Sequence, residues 1–469
     1  FYLLPEPLRL GEFLTNYCSY DNRYLLTATY RRDGSSKFAK GNRYGHFPSV
    51  SVGWNVAEEK FMKGTRNWLD QFKLRGGYGI LGNQEISDYM YTSVITSNIN
   101  YPDGNGNLYN GAFPKEFANP AIKWEETAMT NVGVDLAFFN SRLSVTADWY
   151  RKDTKDILLT VPIPVSTGGA NDPVRNAGKI KNTGFEWTVN WNDAPTKDFS
   201  YGLTFTGNAM KNKVVAMGDA NQVIEGGANR TGVATTRTLA GYPIGGFWLI
   251  PTDGLFQNEE EINAHSLDGS KIQPNAKPGD IRFIDTNKDG KITNADRVYK
   301  GSPFPKLTMG LNFNASYKGF DFLVGLQGVF GNKIYNATRL ELEGVDKGTN
   351  FLSSTLDYWT PENRDASHPR LVWDDPNQNN RPNSDRFLEN GSFLRLRSVQ
   401  IGYTFPNHWF QDKIQKLRVY VNAENLFTIT DYSGYTPDIN NAESATSRGF
   451  DNFVYPTNRV FMLGLNLSF

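Results

Sequence analysis

The stretch of the chain with the clearest chemical potential is Asp285-Thr286-Asn287-Lys288-Asp289-Gly290-Lys291-Ile292-Thr293-Asn294-Ala295-Asp296. Asp285, Asn287, Asp289 and Asp296 bring side-chain oxygens to loop positions 1, 3, 5 and 12, with Gly290 at 6 and Ile292 at 8. A calcium loop needs this order, because the glycine permits the sharp turn and position 7, here Lys291, offers a backbone carbonyl. Asp296 is shorter than the Glu that normally closes such a loop, and the flanks do not read as paired helices. The spacing predicts a structural Ca²⁺ that stiffens a long loop. An Asn/Asp/Gly-rich turn without metal is the alternative. No other cofactor is called for.

Other motifs lead nowhere catalytic. Gly77-Tyr78-Gly79-Ile80-Leu81-Gly82 fits GxGxxG, but its glycines fall inside and just after a strand, with no helix to receive a pyrophosphate. No GxxxxGK[ST], GxSxG or SxxK occurs. Glu259-Glu260-Glu261 and Asp374-Asp375 could supply a pair of acids for glycoside hydrolysis, yet loop carboxylates are more often solvated charge. The four histidines, His46, His265, His368 and His408, are scattered, and a single cysteine, Cys18, excludes an internal disulfide framework. Trp248, Trp359 and Trp373 either stack on a ligand or pack loops together. The sequence leaves both open.

The elements that carry these residues are strands. The 469 residues hold 49 Lys+Arg against 49 Asp+Glu, so there is no basic surplus for nucleic acid. Aromatics make up 14% and there are 44 glycines, a strand-and-turn composition. Mean hydropathy is −0.50, and no run approaches the ~18 apolar residues of a spanning helix. Period-two alternation dominates instead, as in Phe199–Thr206, Leu307–Tyr317, Leu143–Trp149, Phe185–Trp191, Phe320–Leu326 and Leu417–Ala423, with further strands near 22–32, 47–56, 71–80, 130–139 and 393–405. Such lengths exceed the ~5–6 residues of soluble strands and approach the ~9–11 that cross a bilayer.

Connection lengths point the same way. Short links at 140–141, 193–198, 318–319 and 406–414 alternate with long ones at 153–182, 211–306, 331–391 and 428–457. Transmembrane barrels have short periplasmic turns and long outer loops. The final strand puts Phe461, Leu463, Leu465, Leu467 and Phe469 on one face, similar to the terminal signal of outer-membrane barrels. Tyr30, Trp54, Trp149, Tyr150, Trp191 and Tyr403 suit interfacial girdles. The expectation is an all-β, antiparallel transmembrane barrel of about twelve strands, thirteen if 2–10 pairs. Ligand contacts should lie in the outer loops 81–129, 211–306, 331–391 and 428–457.

Several motifs together resemble the SusC/RagA family of TonB-dependent outer-membrane transporters of Bacteroidetes. They are Tyr20-Asp21-Asn22-Arg23-Tyr24, Arg32-Asp33-Gly34-Ser35-Ser36-Lys37-Phe38, Phe47-Pro48-Ser49-Val50-Ser51-Val52-Gly53-Trp54, Gly82-Asn83, Asn119-Pro120, Lys123-Trp124-Glu125, Asn182-Thr183-Gly184-Phe185-Glu186, Gly241–Phe247 and Ala423-Glu424-Asn425-Leu426-Phe427. The resemblance implies a 22-stranded barrel of which residues 1–469 form the C-terminal portion. The plug domain, the TonB-binding segment and the opening strands would then lie outside this chain. Phe1-Tyr2-Leu3-Leu4, meeting Pro5 and Pro7 at once, is no secretory signal and suggests a processed or partial chain.

By the same resemblance the function is active import of a nutrient, glycan or oligopeptide, across the outer membrane of a Gram-negative bacterium. No bond of the ligand is broken, so the protein is not an enzyme. The implied partners are a SusD-like surface lipoprotein acting as a lid, the TonB complex, the nutrient ligand, and the surrounding membrane lipid and lipopolysaccharide. A dimer of transporter–lipoprotein pairs is implied too, and nucleic acid is not. The rival readings are a passive porin, a soluble calcium-dependent adhesin or sugar-binding module, and a secreted β-rich hydrolase.

Overall fold

The computed structural model describes residues 9–93, 95–114, 117–161, 166, 173–218, 223–227, 231–345, 348, 350–410, 414–439 and 445–469. Thirteen strands form one antiparallel sheet in chain order. They are β1 (Arg9–Tyr20), β2 (Tyr24–Ser35), β3 (Tyr44–Asn55), β4 (Leu69–Asn83), β5 (Glu125–Phe138), β6 (Leu143–Lys155), β7 (Lys179–Thr196), β8 (Phe199–Ala216), β9 (Leu307–Tyr317), β10 (Phe320–Phe330), β11 (Phe393–Phe405), β12 (Lys416–Thr430) and β13 (Val460–Ser468). Among the described residues no helix is long and apolar enough to cross a membrane.

The thirteenth strand is described over Arg9–Tyr20. Residues 2–8 of that expected strand lie outside the described residues. Several of the other strands run longer than alternation alone suggested, and the long connections are 84–124, 156–178, 217–306, 331–392 and 431–459. Strand pairing carries the ladder past the point where apolar residues stop alternating.

Each strand has one polar and one apolar face. Leu417, Val419, Val421 and Ala423 of β12 pair with Leu467, Leu465, Leu463 and Phe461 of β13. Val132, Trp149, Phe185 and Leu203 stay exposed in the same way along β5–β8. A sandwich would bury such a face under a second sheet. Among the described residues no layer covers it, as a strand set facing lipid requires. Of the expected girdle residues, Tyr30, Trp54 and Trp149 are on this exposed face. Tyr150 is not: it is buried on the polar side, its ring lying over Gly184, where a Cβ would come within 2.4 Å of the ring.

The turns explain several of the motifs. Asp21 and Asn22 have φ of 51° and 52° between β1 and β2, the left-handed pair that a tight hairpin turn demands. Asn425 has φ of 53° where the β11–β12 register slips between Leu396 and Ser398, so the Glu424-Asn425-Leu426 motif marks a β-bulge.

Contacts divide the chain into two compact units. The first holds residues 1–224, 239–241 and 312–316, hence β1–β8. The second holds 225–238, 242–311 and 317–469, hence β10–β13 and the largest loops.

Candidate functional site

In the first unit, the connection 84–124 is anchored to the polar side of β2–β4 by an apolar cluster of Phe38, Phe47, Ile86, Met90, Ile122 and Trp124. Trp124 is 5.3 Å from Phe38 and 5.4 Å from Phe47, ring to ring, and its Nε1 donates to the Arg43 carbonyl at 3.1 Å. Glu125 accepts from Asn83 Nδ2 at 3.3 Å and from the Leu158 N–H at 3.0 Å. The motif residues therefore act as loop anchors, and they border a cleft of about 710 Å³ lined by Arg31, Asp33, Lys37, Asn83, Glu85 and Trp124. Arg31 pairs with Asp33 at its edge. The glycines of the GxGxxG match lie in β4. Gly77 and Gly79 leave room for Asn131 and Ser49, and Gly82 for the Phe47 ring. They answer crowding on the sheet and cradle no phosphate.

In the second unit, the long connections fold into a body with its own core. Phe247, Leu249, Tyr335, Ala337, Leu340, Phe387 and Phe450 pack together, drawn from 217–306, 331–392 and 431–459. Strand pairing ties them: Lys333–Asn336 runs parallel to Phe450–Asp451 and antiparallel to Leu388–Asn390. Inside lies a buried amide network. Gln273 Nε2 donates to Asn377 Oδ1 at 2.8 Å, Asn379 Nδ2 to Asp280 Oδ1 at 2.9 Å, and Arg370 holds Asp280 at 2.6 and 3.0 Å. Satisfied networks of this kind favour one arrangement of otherwise irregular chain.

A second polar centre lies under α2 (Ala337–Glu343). Arg339 Nε is 2.7 Å and Arg386 Nη2 3.1 Å from the Glu343 carboxylate. His368 Nε2 lies 3.2 Å away, off the line of a good hydrogen bond. Burial pushes the Glu343 carboxyl up, but the close approach of His368, the hydrogen bonds from Arg339 and the charges of both arginines outweigh it, bringing it down to about 2.

The tryptophans part company. Trp359 is buried, its Nε1 donating to Gln257 Oε1 at 3.0 Å, so it packs loops. Trp373 is exposed. Trp248 joins Tyr242 (4.9 Å) and Tyr299 (6.1 Å), with the Arg237 guanidinium 5.7 Å over its ring. Its indole N–H is buried and has no acceptor among the described residues, so what this half-exposed cluster offers a ligand is a stacking face. The suspected acid pairs have structural work. Glu261 follows the Asn258 cap of α1 (Glu259–Ala264) and accepts the Gln257 N–H at 2.9 Å. Asp375 accepts the Asn379 and Asn380 N–H groups at 2.8 and 2.9 Å.

The calcium-type loop is brought together only in part. Asp285 accepts the Gly290 N–H at 2.8 Å, Asn287 the Asp289 N–H at 3.1 Å and Asp289 the Lys291 N–H at 2.9 Å, which keeps positions 1, 3 and 5 on one exposed turn. Asp296 is fully buried and caps Thr286 and Thr293 N–H groups at 2.9 and 2.7 Å. Among the described residues no three His, Cys, Asp or Glu side chains gather as a metal set. Asp285, Asn287 and Asp289 bring oxygens of the kind Ca²⁺ takes onto one turn, whereas Asp296 would have to give up its backbone bonds to join them.

Comparison with known proteins places these features. Residues 10–426 match the family described as TonB dependent receptor-like, beta-barrel. TonB-dependent receptor P3 of Formosa agariphila is 34% identical over 467 residues, covering 97% of this chain and 45% of that protein. TonB-dependent receptor SusC of Bacteroides thetaiotaomicron is 33% identical over 461 residues, covering 96% and 42%. The chain thus spans less than half the length of these relatives. Among solved structures, the RagAB peptide transporter superposes with a TM-score of 0.82 at 24% identity, over 99% of this chain and 48% of that one. The RagAB peptide importer in its closed-closed state gives 0.80 at 25%, over 98% and 48%.

Proposed function

Because this chain belongs to the TonB dependent receptor-like, beta-barrel family, we propose that it supplies barrel strands and outer loops to a TonB-dependent importer of the bacterial outer membrane. The ligand is a nutrient, an oligosaccharide or an oligopeptide. The RagAB structures are of a peptide importer, so peptides are the first class to assay. The observation that carries the reading is the folded outer-loop body, with the Tyr242–Trp248–Tyr299 face and the buried Glu343 centre. A passive pore has no use for long connections folded around a core of their own.

In this reading the ligand is captured by the long-loop end and enclosed by a SusD-like surface lipoprotein. A plug domain and further strands, outside this chain, complete the barrel, and the TonB complex draws on the inner-membrane proton gradient to move the plug. The ligand passes with its bonds intact, so the protein works without catalysis. A structural Ca²⁺ on Asp285, Asn287, Asp289 and the Lys291 carbonyl belongs to the same proposal. Its contribution would be to stiffen the turn. Pairs of transporter and lipoprotein would associate as dimers.

The test is gentle extraction of the native protein followed by identification of co-purifying chains, together with uptake by cells carrying a deletion of 217–306. A co-purifying lipoprotein, and lost uptake with the barrel still inserted, support the importer. A protein that extracts alone and transports normally without 217–306 removes it.

A further inference from the structure

The bulge marked by Asn425 turns two side chains of β11 toward the polar side of the sheet. Below it, Gly402, Gln400 and Ser398 stand opposite Asp321, Leu323 and Gly325 of β10 on that side. Arg397 is then skipped in the ladder, so Arg395 and Phe393 stand opposite Gln327 and Val329 and share the same side. With an unbroken register they would take the apolar side. Bulges re-aim side chains in this way, often next to sites. Arg395 is buried there, with Nε donating to Thr428 Oγ1 at 3.0 Å and Nη1 to Asp438 at 3.1 Å.

Phe393 thereby closes a cavity of about 180 Å³ where the long connections leave β9, β10 and β11. Its walls are mostly apolar, with Phe304, Pro305, Val329, Ile334 and Pro437 beside Phe393. Phe393 and Ile334 are buried at its floor, while Asp438 and Arg448 are exposed at its mouth. The two charges at the mouth are not equivalent. Asp438 is answered by Arg395. The Arg448 guanidinium lies 5.5 Å over the Phe304 ring, and among the described residues no carboxylate pairs with it. Asn332 is buried in the same wall, and its Oδ1 has no donor among the described residues. The volume is several times the ~30 Å³ share of a water molecule and below the ~300 Å³ at which pockets for drug-sized ligands begin. It suits one residue, not a chain.

We propose that this pocket takes the C-terminal residue of an oligopeptide, with the carboxylate on Arg448 and the Asn332 amide and an apolar side chain against Phe304, Val329 and Phe393. The inference rests on the importer reading above and narrows its ligand. The charge left over at the mouth is positive, so the ligand group that answers it is an anion. An acidic sugar carries the same carboxylate but rings it with hydroxyls. Walls of proline, phenylalanine and valine leave those hydroxyls without partners, and burying them unpaired is costly. A terminal carboxylate on an apolar residue meets both halves of the pocket.

Calorimetry on the intact protein, extracted from outer membranes into nanodiscs, compares four probes. They are a peptide ending in leucine, the same peptide as its C-terminal amide, the same peptide ending in glycine, and a uronic acid disaccharide. The leucine acid should bind about tenfold to a hundredfold more tightly than its amide, the worth of hydrogen bonds to a charged group. Arg448→Gln should bring the acid down to the affinity of the amide and leave the amide where it was. Arg448→Lys should restore part of the difference. A merely structural role for Arg448 would weaken acid and amide alike. Equal binding of acid and amide, equal binding of the leucine and glycine endings, or binding of the uronate in place of the leucine acid overturns the proposal. If the variants fail to fold, the acid–amide comparison on the unaltered protein still decides. Cells that import acid and amide alike leave the importer reading standing and remove this pocket, whereas cells that import neither peptide nor sugar overturn the importer reading itself.

Discussion

Arg418 and Asp321 meet across a strand to which neither belongs. Arg418 is on β12 and Asp321 on β10, and between them Gly402 of β11 leaves the space in which Arg418 Nε reaches Oδ1 at 2.8 Å and Nη2 reaches Oδ2 at 2.5 Å. The first unit repeats the device. Arg75 of β4 reaches over Gly133 of β5 to Asp148 of β6 at 2.9 Å, while also holding Asp135 at 2.8 Å. On the polar side of the sheet, glycine is the floor beneath a charge pair that fastens three strands.

A methyl group at either glycine should therefore unfasten the pair without breaking the ladder. A Cβ at Gly402 would lie 2.6 Å from Asp321 Oδ1 and 2.7 Å from Arg418 Nη2, and both are ends of movable side chains. Gly402→Ala should cost about 1 kcal/mol, the upper end for partly exposed ion pairs. The same change in an Asp321→Ala background should cost much less. Urea midpoints of the folded protein in lipid vesicles, arranged as a double-mutant cycle, measure the difference.

Such glycines show where sequence reading stopped. The strand set was legible because lipid and lumen impose alternation on every ladder, and short turns such as Asp21-Asn22 announce themselves by residue type. The bridge was not legible, since Gly402 reads as a weak strand residue until its neighbours' registers are known. Tyr150 was misassigned for a related reason: an aromatic near a strand end suits a girdle, but a ring over Gly184 fills the polar side equally well. The loop body was invisible. Its core joins Phe247, Tyr335, Phe387 and Phe450 from three separate connections, and nothing local records that meeting.

The Glu343 centre makes the loop body pH-sensitive at the acid end. The folded-state carboxyl, brought to about 2 from its ordinary 4.5, contributes stability that is present in full above 4.5 and is lost as pH falls toward 2. The size of that contribution is about 3 kcal/mol. Hydrogen exchange of the α2 amides should stay slow at pH 6 and accelerate between pH 4.5 and 2.5. Glu343→Gln should leave Arg386 buried without its counter-charge and speed exchange already at pH 7, by a local loss of about 3 kcal/mol. Exchange in the variant that matches the unaltered protein would remove the role given to this carboxylate.

The calcium-type loop separates two roles that its sequence merges. Asp296, fully buried on backbone N–H groups, holds the turn whether or not metal is present. Asp296→Ala should destabilise the loop by about 1–3 kcal/mol in the presence of chelator, the cost of orphaned buried donors. Asp285→Ala and Asp289→Ala should matter chiefly to Ca²⁺. Calorimetric titration of chelator-stripped protein should give binding that both changes abolish. An absence of heat at millimolar Ca²⁺ in the unaltered protein would leave this stretch as a turn alone.

Trp248 and Trp359 should answer differently to the same substitution. Trp359 is buried against Gln257, and a Cβ at Gly279 would meet its ring at 2.4 Å, so it fills a tight space. Trp359→Ala should open a cavity and cost about 3–5 kcal/mol, seen as early melting of the loop body. Trp248 shows one face beside Tyr242 and Arg237 and keeps an unanswered N–H. Trp248→Ala should leave melting close to unchanged while weakening ligand binding by about 1 kcal/mol, the worth of an aromatic contact. Trp248→Phe, which keeps an aromatic stacking face, should recover most of that loss. Binding of oligopeptides and oligosaccharides to the three variants, followed by tryptophan-independent calorimetry, tests the assignment. If Trp248→Ala binds both classes as the unaltered protein does, the ligand meets the loop body elsewhere, and the exposed Trp373 becomes the next residue to replace.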